Sequence, residues 1–526
     1  MASSTLDGIA LPLFASRVQA VCDEMGVALR RAAFSPNIKD RLDFSCAMFD
    51  ARGALFGQAA HIPVHLGSMA YAMADVVKRF EWRVDDLVLL NDPFLGGTHL
   101  PDVTAVCPVF CDDELIGFAA CRAHHANIGS DRPGSMPVST ALEEEGIVIA
   151  PMLAQRDGAL TPAAEALFGQ LSGRRRDSSD DYRGDERLGD FFAQMSACRL
   201  GVKRAVTLVR QMGTVEFVSA VAALNAYAER IARDAISAIP DGDYAFEDRM
   251  DDDGVGTRDV PIRVRIRVRG DEVETDFLGT AQQVRGNINC PLSVTAAAVL
   301  YVFRCLMPAH TPAVSGAFRC VKIVTQPGSL VDARYPAAVA AGNVETSMRI
   351  VDVLFGALAS ALPDRIPAAS QGTMNNVAMG RHGDVVRWDY YETIGGGTGA
   401  HAGGAGASGM HSHMTNTLNT PIESLETHYP LRVRRYQLRR GSGGTGRFSG
   451  GDGIVREFEF LEPAAVTLLT ERRRYGPWGL AGGNPGACGL NLLNGRTLPS
   501  KVEFDVGPGD VLTVETPGGG GWQLPD

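Results

Sequence analysis

The stretch 86-DLVLLNDPFLGGTHLPDVTAVCPVFCDDELIGFAACRAHH-125 sets three apolar runs around one polar loop. DLVLL reads as a short buried strand that ends at Asn91. VTAVCPVF and ELIGFAACRAH read as a hairpin about Cys111-Asp112-Asp113, because β-branched and aromatic runs are bounded there by turn formers. A sheet is expected, with the loop NDPFLGGTHLPD hanging between two of its strands. The loop holds Asp92, His99 and Asp102 beside two adjacent glycines, and the last strand ends at His124 and His125.

A divalent metal that activates water or polarises a carbonyl needs a few nitrogen and oxygen ligands and an open position. His99 and Asp102 lie three apart, so in a tight loop or one helical turn both can face one point. Gly96 and Gly97 let the backbone bend close to that point. His124 and His125 project to opposite faces of a strand, so only one of them can be a ligand there. Asp43, opening 43-DFSCAMF-49, is a candidate fourth carboxylate. Spacing alone leaves two readings open: a metal centre, or turn residues with satisfied histidines.

On the N-terminal side, Leu13, Val18, Val21, Met25 and Leu29 recur at helical spacing within residues 9–32 and predict an amphipathic helix. Residues 43–58 predict a hairpin about Asp50-Ala51-Arg52-Gly53, and 64–80 a helix. His61 and His65, four apart in 61-HIPVHLGS-68, are separated by Pro63, which opposes one helix through both. One of them is expected to pack or cap and the other to line a cleft.

Downstream, the charged stretch 172–190 reads as an exposed loop or domain edge. Residues 189–238 read as helical. In 260-VPIRVRIRVRGDEVETDF-277 apolar and charged residues alternate, so Arg263, Arg265, Arg267 and Arg269 share one face, expected to be solvated. Helices are expected at 293–307 and 345–362, and short strands between glycine turns from 430 onward.

The glycine clusters 395–409, 441–453 and 517–521 are interrupted by histidine, aromatic and acidic residues. They read as loops that take positive φ or approach something closely. In 409-GMHSHMTNTLNTPIESLE-426, His411 and His413 share a face of an extended chain, and polar residues this dense suggest a loop lining a cleft.

The expected fold class is α+β, a mixed α/β multidomain chain with a β-rich C-terminal module. Its regions are an N-terminal α/β part over 1–235 carrying the polar loop, a central α+β part over 236–425, and the β-rich module over 426–526.

With 526 residues, 45% hydrophobic and 21% charged, the chain can bury large cores without staples. A formal charge of −11 argues against a nucleic-acid partner. Ten scattered cysteines without a CxxC pair fit buried thiols in a reducing cytoplasm. No signal peptide and no apolar run of membrane-spanning length are read, so a cytoplasmic protein without a membrane partner is expected. A phosphate loop, a GxGxxG turn between strand and helix, and a GxSxG elbow are all missing, so nucleotide chemistry must come from elsewhere.

The segments SPNIKDRLDFSCAMFD, HIPVHLG, NDPFLGGTHLPD, RAHHANIGSDRPGSMP, GNINCPLSVTAAAV, GNVETSMRIVDVLFGAL, QGTMNNV, HSHMTNTLNTPIESLE and GGDGIVREFEF resemble the hydantoinase B family, in order and over nearly the whole chain. The resemblance implies a B-type subunit of an ATP-dependent hydrolase of cyclic amides such as hydantoins, lactams or 5-oxoproline. It implies a hetero-oligomer with a separate hydantoinase A-type subunit that binds and uses ATP. It implies one divalent metal ion on Asp43, His99, Asp102 and His124, with Asp40 a weaker choice than Asp43. Mixed His/Asp ligands suit zinc, manganese, iron or cobalt. His125 is the expected general acid/base, and His411 and His413 are expected in the same cleft as catalytic residues. The alternatives are an α-type subunit of an acetone- or acetophenone-type carboxylase, and a non-catalytic scaffold for an A-type subunit. One departure stands out. Asn127 occupies the position where the family carries an acid in HHxDxGG, and Ser130 replaces a glycine.

Overall fold

The structure is a computed structural model that describes residues 10–59, 62–172, 186–382 and 388–524. His61 and most of the charged stretch 172–190 lie outside those residues. The fold is α+β, as expected, with four sheets among the described residues.

The first sheet carries the opening stretch. It is built from β1 (Phe44–Asp50), β2 (Leu55–Ala59), β3 (Leu87–Leu90), β4 (Asp102–Cys111), β5 (Glu114–His124), β6 (Met152–Arg156) and β7 (Ala159–Leu160), in the order β2-β1-β5-β4-β3-β6-β7. The β1–β2 turn is held by Asp50, whose Oδ1 accepts from the N–H groups of Arg52 and Ala54. β4 and β5 pair with Asp102 opposite His124 and Thr104 opposite Arg122. β1 lies on the other side of β5, with Phe44 opposite Ala123. Asp43, Asp102 and His124 therefore meet at one end of three neighbouring strands.

Helix α1 (Ala10–Ala32) packs on this sheet through Phe14, Val18, Cys22, Met25 and Leu29. Leu13, expected in the stripe, is 51% exposed, and Phe14 takes its place because the 3.6-residue period runs through 14, 18 and 22. A short helix α2 (Pro36–Lys39) precedes β1. Helix α3 (Pro63–Val76) starts at Pro63, where a missing N–H costs nothing, and so brings His65 into its first turn. Helix α4 (Pro162–Ser172) follows β7. The long helical region is two helices, α5 (Glu186–Met212) and α6 (Thr214–Ser237), broken at Gly213 with φ 89°.

The second sheet comprises β8 (Gly242–Asp252), β9 (Arg258–Arg269), β10 (Glu272–Asp276) and β11 (Val321–Val324) in the order β11-β10-β9-β8. Val260, Ile262, Val264, Ile266 and Val268 face the core, and the arginines between them are on the solvent side. There Arg263 meets Glu247, Arg267 meets Glu274 and Asp276, and Arg269 meets Asp243. Between β10 and β11 runs α7 (Leu292–Leu306), and after β11 comes α8 (Ser347–Leu358). A π-turn at Gly342–Thr346 leads into α8 and widens the helix by one residue just where the chain passes the end of the first sheet.

The remaining strands are β12 (Asn376–Arg381), β13 (Trp388–Glu392), β14 (Leu431–Arg439), β15 (Gly453–Phe460), β16 (Ala464–Leu469), β17 (Leu490–Leu493), β18 (Arg496–Leu498), β19 (Lys501–Val506) and β20 (Val511–Glu515). They form two sheets, β13-β12-β16-β19 and β14-β15-β20-β17-β18. A short helix α9 (Ile422–His428) precedes β14.

The glycine clusters pack against one another, backbone to backbone. Gly397 N–H donates to Pro517 O, Gly519 N–H to Gly451 O, Gly451 N–H to Thr398 O and Gly444 N–H to Gly519 O. A Cβ on Gly397 would stand 1.8 Å from Gly451 O, and one on Gly519 1.9 Å from Thr398 O. Close approach is thus the reason for glycine at these positions, and neither Gly397 nor Gly519 has positive φ.

Among the described residues no helix is long and apolar enough to cross a membrane. All ten cysteines are free, and eight of them are buried.

Candidate metal centre

The loop between β3 and β4 is tied down at its root by Asn91. Its amide Nδ2 donates to Leu100 O at 2.8 Å and Ile147 O at 3.0 Å, and its Oδ1 accepts from Ile149 N–H at 2.6 Å. Asp92 is a turn residue, accepting at its side chain from Phe94 N–H and at its carbonyl from Gly97 N–H. Gly97 runs so close to Asn91 that a Cβ would lie 2.1 Å from its carbonyl oxygen, and Gly96 has φ 117°. This folding turns Thr98 and His99 inward, over Asp102.

Asp102 is the hub. Its Oδ1 lies 3.3 Å from His99 Nε2 and 3.2 Å from His124 Nδ1. Its Oδ2 accepts from Thr98 Oγ1 at 2.6 Å and Asn343 Nδ2 at 3.3 Å, and stands 3.4 Å from His65 Nε2. His99, Asp102 and His124 each offer a ligand atom within 4.8 Å of the others, and all three are buried. Such a set can hold a metal ion.

The orphaned atoms point the same way. Asp102 Oδ1, His99 Nε2 and His124 Nε2 are buried without a hydrogen-bond partner. The Ala340 carbonyl, 3.3 Å from His99 Nδ1, can only accept, so Nδ1 carries a proton and Nε2, 3.3 Å from Asp102 Oδ1, is the atom left for a cation or a second proton. His99 Nε2 and Asp102 Oδ1, facing one another in a buried site, need a cation or proton between them. The donor set therefore fits a divalent ion.

Burial opposes charge at every member. At His124 it prevails and lowers the ring's pKa despite the Asp102 and Asp43 carboxylates. At His99 burial is outweighed by the Asp102 carboxylate, and the pKa is raised. Burial also opposes ionisation of Asp102, but His99, His124 and His65 around it hold the carboxyl well below the usual range.

Asp43 lines the same cleft. Its carbonyl accepts from His124 N–H, and its carboxylate is 3.7 Å from Arg41, whose guanidinium lies over the Tyr391 ring. Tyr391 stacks on His124 with 4.8 Å between ring centroids. Asp40 instead ends α2 and does not line the cleft. The free volume among these walls is about 20 Å³, enough for an ion or one water.

Three expected residues stand elsewhere. His125 points to the opposite face of β5, where Nε2 is 2.7 Å from Gln194 Oε1 and the ring packs on Phe191 of α5. His413 has φ 57°, which breaks the extended run, so His411 and His413 do not share a face. The His413 ring packs on Phe355 and Tyr301, with Nε2 3.9 Å from Asp352. His411 lies beside Thr415 and is lowered to about 4 by burial and by Arg41. It is Met414, Thr415 and Thr417 of that segment that border the cleft. Asn127, at the departure from the family pattern, shapes a turn. It donates to Asp389 Oδ1 at 3.1 Å and accepts from Gly129 N–H at 2.7 Å, away from the cluster.

Sequence reasoning singles out the motif of His65 but not the residue as part of the site, and it gives no signal for Thr98 or Asn343 individually. Asn343 comes from the π-turn, 241 positions from Asp102, beyond the reach of any local pattern.

Comparison with known proteins gives the family. The Hydantoinase B/oxoprolinase family profile matches residues 7–525. 5-oxoprolinase 1 of Arabidopsis thaliana is 36% identical over 99% of this chain, which spans 42% of the plant protein's length. A protein of Pseudomonas sp. (strain NS671), named as the B component of a D-/L-hydantoinase, is 31% identical over 99% of this chain and 90% of its own. The crystal structure of ATP-dependent caprolactamase from Pseudomonas jessenii superposes with a TM-score of 0.90 at 26% identity, covering 99% of this chain and 92% of that one. Nucleotide-free acetone carboxylase shares the fold, with a TM-score of 0.84 at 17% identity over 99% and 77% of the two chains. The chain belongs to the hydantoinase B/oxoprolinase family.

Proposed function

We propose that this protein is the B-type subunit of an ATP-dependent hydrolase of cyclic amides. The observation that supports it most is the buried cluster of His99, Asp102 and His124, whose ligand atoms lie within 4.8 Å of one another, in a family whose relatives bear the names 5-oxoprolinase and caprolactamase. Those three residues would hold a divalent ion of the zinc, manganese, iron or cobalt kind, with Asp43 completing the set from the end of β1. Such an ion supplies Lewis acidity to a carbonyl or water oxygen.

The chain's own residues do the rest. Asp102 stays anionic and offers one oxygen to the cluster. The Ala340 carbonyl fixes the His99 tautomer. Tyr391 covers one face of His124, and Ile62, Val64, Met374 and Met414 form an apolar wall that excludes water from an entering ring. With about 20 Å³ of free space, the wall must move to admit that ring. ATP would be used by an A-type partner subunit, in keeping with the B-component name of one relative and with the 58% of the plant 5-oxoprolinase that this chain does not span, 100 less 42.

The test is elemental analysis of wild type beside His99→Ala, followed by ATP-dependent ring opening of hydantoin, lactam and 5-oxoproline with an A-type subunit. About one divalent ion per chain, lost in the variant, and ATP-dependent turnover are expected. A wild type that takes up no metal after reconstitution would sink the proposal and favour a scaffold role.

A further inference from the structure

Five arginines of the described chain are buried: Arg41, Arg122, Arg349, Arg456 and Arg472. Four of them have a carboxylate within 4 Å. Arg41 meets Asp43, Arg349 meets Asp248 and Glu471, Arg456 meets Glu392, and Arg472 meets Asp248 and Asp352. Arg122 donates only to neutral oxygens, from Nε to Thr104 Oγ1 at 2.8 Å, from Nη1 to Ser68 Oγ at 2.7 Å and from Nη2 to Gly96 O at 2.8 Å. Burial lowers its guanidinium to about 10, with the Asp102 carboxylate as the opposing influence. A buried charge without an ion pair is costly, and a methionine or leucine would fill the space more cheaply.

The three acceptors explain why the cost is borne. Thr104 stands two residues after Asp102 on β4, and Arg122 two before His124 on β5, in the register that pairs Thr104 with Arg122 and Asp102 with His124. Ser68 lies one turn after His65 on α3, and its hydroxyl also donates to Val64 O. Gly96 opens the bend that delivers Thr98 and His99. Two prongs of the guanidinium thus grip the segments that carry His99 and Asp102, and the third grips α3, whose His65 reaches Asp102 Oδ2.

We infer that Arg122 is a positioning residue for the metal centre, a three-pronged clamp that fixes the loop at Gly96, helix α3 at Ser68 and strand β4 at Thr104 in the arrangement that sets His99, His65 and Asp102. This inference rests on the metal reading above. The fork is planar and its donors diverge at fixed angles, so a lysine, with one compact ammonium on a flexible stem, cannot hold all three segments.

The experiment titrates cobalt(II) into the full chain, wild type beside Arg122→Lys, Arg122→Gln and Ser68→Ala. It reads the visible ligand-field bands, the cobalt dissociation constant and Tm. Displaced bands and a dissociation constant weakened on the order of tenfold or more are expected for both Arg122 variants, the usual size of an effect from behind the ligands. The same band shift with a smaller loss is expected for Ser68→Ala, which removes one prong and answers the question if the Arg122 variants do not fold. Wild-type bands and affinity in all three variants, with only Tm lowered, would overturn the clamp and leave Arg122 a structural residue. Wild-type behaviour in Arg122→Lys alone would overturn it in favour of charge. Failure of the wild type to bind cobalt would instead bring down the metal reading, and the clamp with it.

Discussion

Asp102 works through both of its oxygens. Oδ2 is engaged by Thr98 and Asn343, and Oδ1 is left bare toward His99 and His124. The carboxylate is therefore set to give one oxygen, in one orientation. Asn343→Leu removes a donor to Oδ2 without touching a ligand atom. A metal affinity weaker by about 10- to 100-fold, measured by competition with a chromophoric chelator, is the expected outcome, and an unchanged affinity would show that Thr98 suffices. Glu345, two residues on, is a different case. Its Oε1 accepts from Met374 N–H and Asn376 Nδ2, Oε2 has no partner, and burial raises its pKa from 4.5 to about 8. The folded state keeps the proton where the unfolded chain gives it up, so stability declines as pH rises from about 4.5 to about 8 and is flat outside that window. Glu345→Gln should match wild type in Tm near pH 5 and exceed it near pH 8. A constant difference across pH would disprove the buried neutral acid. The cluster itself was legible because its motif is compact: His99 and Asp102 share one loop and His124 ends the adjoining strand. His65, Thr98 and Asn343 act through Asp102 from three separate segments, and nothing in their local sequence says so.

At the level of single elements, period did most of the predictive work and local backbone accounts for the misses. Alternation in β5 already put His124 and His125 on opposite faces, and the structure sends His124 to the cluster and His125 to Gln194 on α5. His125→Gln should retain the metal in full and lose about 1–2 kcal/mol of stability with the buried hydrogen bond and ring packing, read by denaturant unfolding beside elemental analysis. Loss of the metal would mean that the two faces of β5 are coupled. The shared face assigned to His411 and His413 assumed an extended chain, and the left-handed turn at His413 removes it. The π-turn at Gly342–Thr346 had no counterpart in the pattern, because one extra residue in a helix leaves the apolar stripe of α8 intact. Yet that turn is what presents Asn343. Gly342 permits it by lying against the backbone of Asn289, where a Cβ would meet the carbonyl oxygen at 1.8 Å.

Across the whole molecule, the apolar core was foreseeable, and so was a close approach by the glycine clusters, but not that they approach one another. Periodicity shows which residue hides from water, but the stack is an arrangement of main chains with almost no side chains to pattern. Its strands of contact join segments 120 residues apart, such as Gly397 to Pro517 and Ala400 to Gly520. It also bears on the site. Gly396 exchanges two backbone hydrogen bonds with Met410, and Gly409 N–H donates to Asp452 O, so the stack anchors the start of the segment whose Met414, Thr415 and Thr417 border the cleft. Two alanine substitutions separate close packing from mere glycine content. At Gly519 the added Cβ would stand 1.9 Å from Thr398 O, and its three nearest neighbours are all backbone atoms, so no flexible side-chain end can yield there. At Gly404 the added Cβ meets nothing within 4 Å and the backbone needs no positive φ. Gly519→Ala should cost at least about 3 kcal/mol and loosen the 409–417 segment, read as faster amide exchange at Met414 and Thr415, whereas Gly404→Ala should unfold and exchange as wild type does. Equal behaviour of the two would mean that the interleaved glycines are tolerant loops and that the cleft border is held by its own side chains alone.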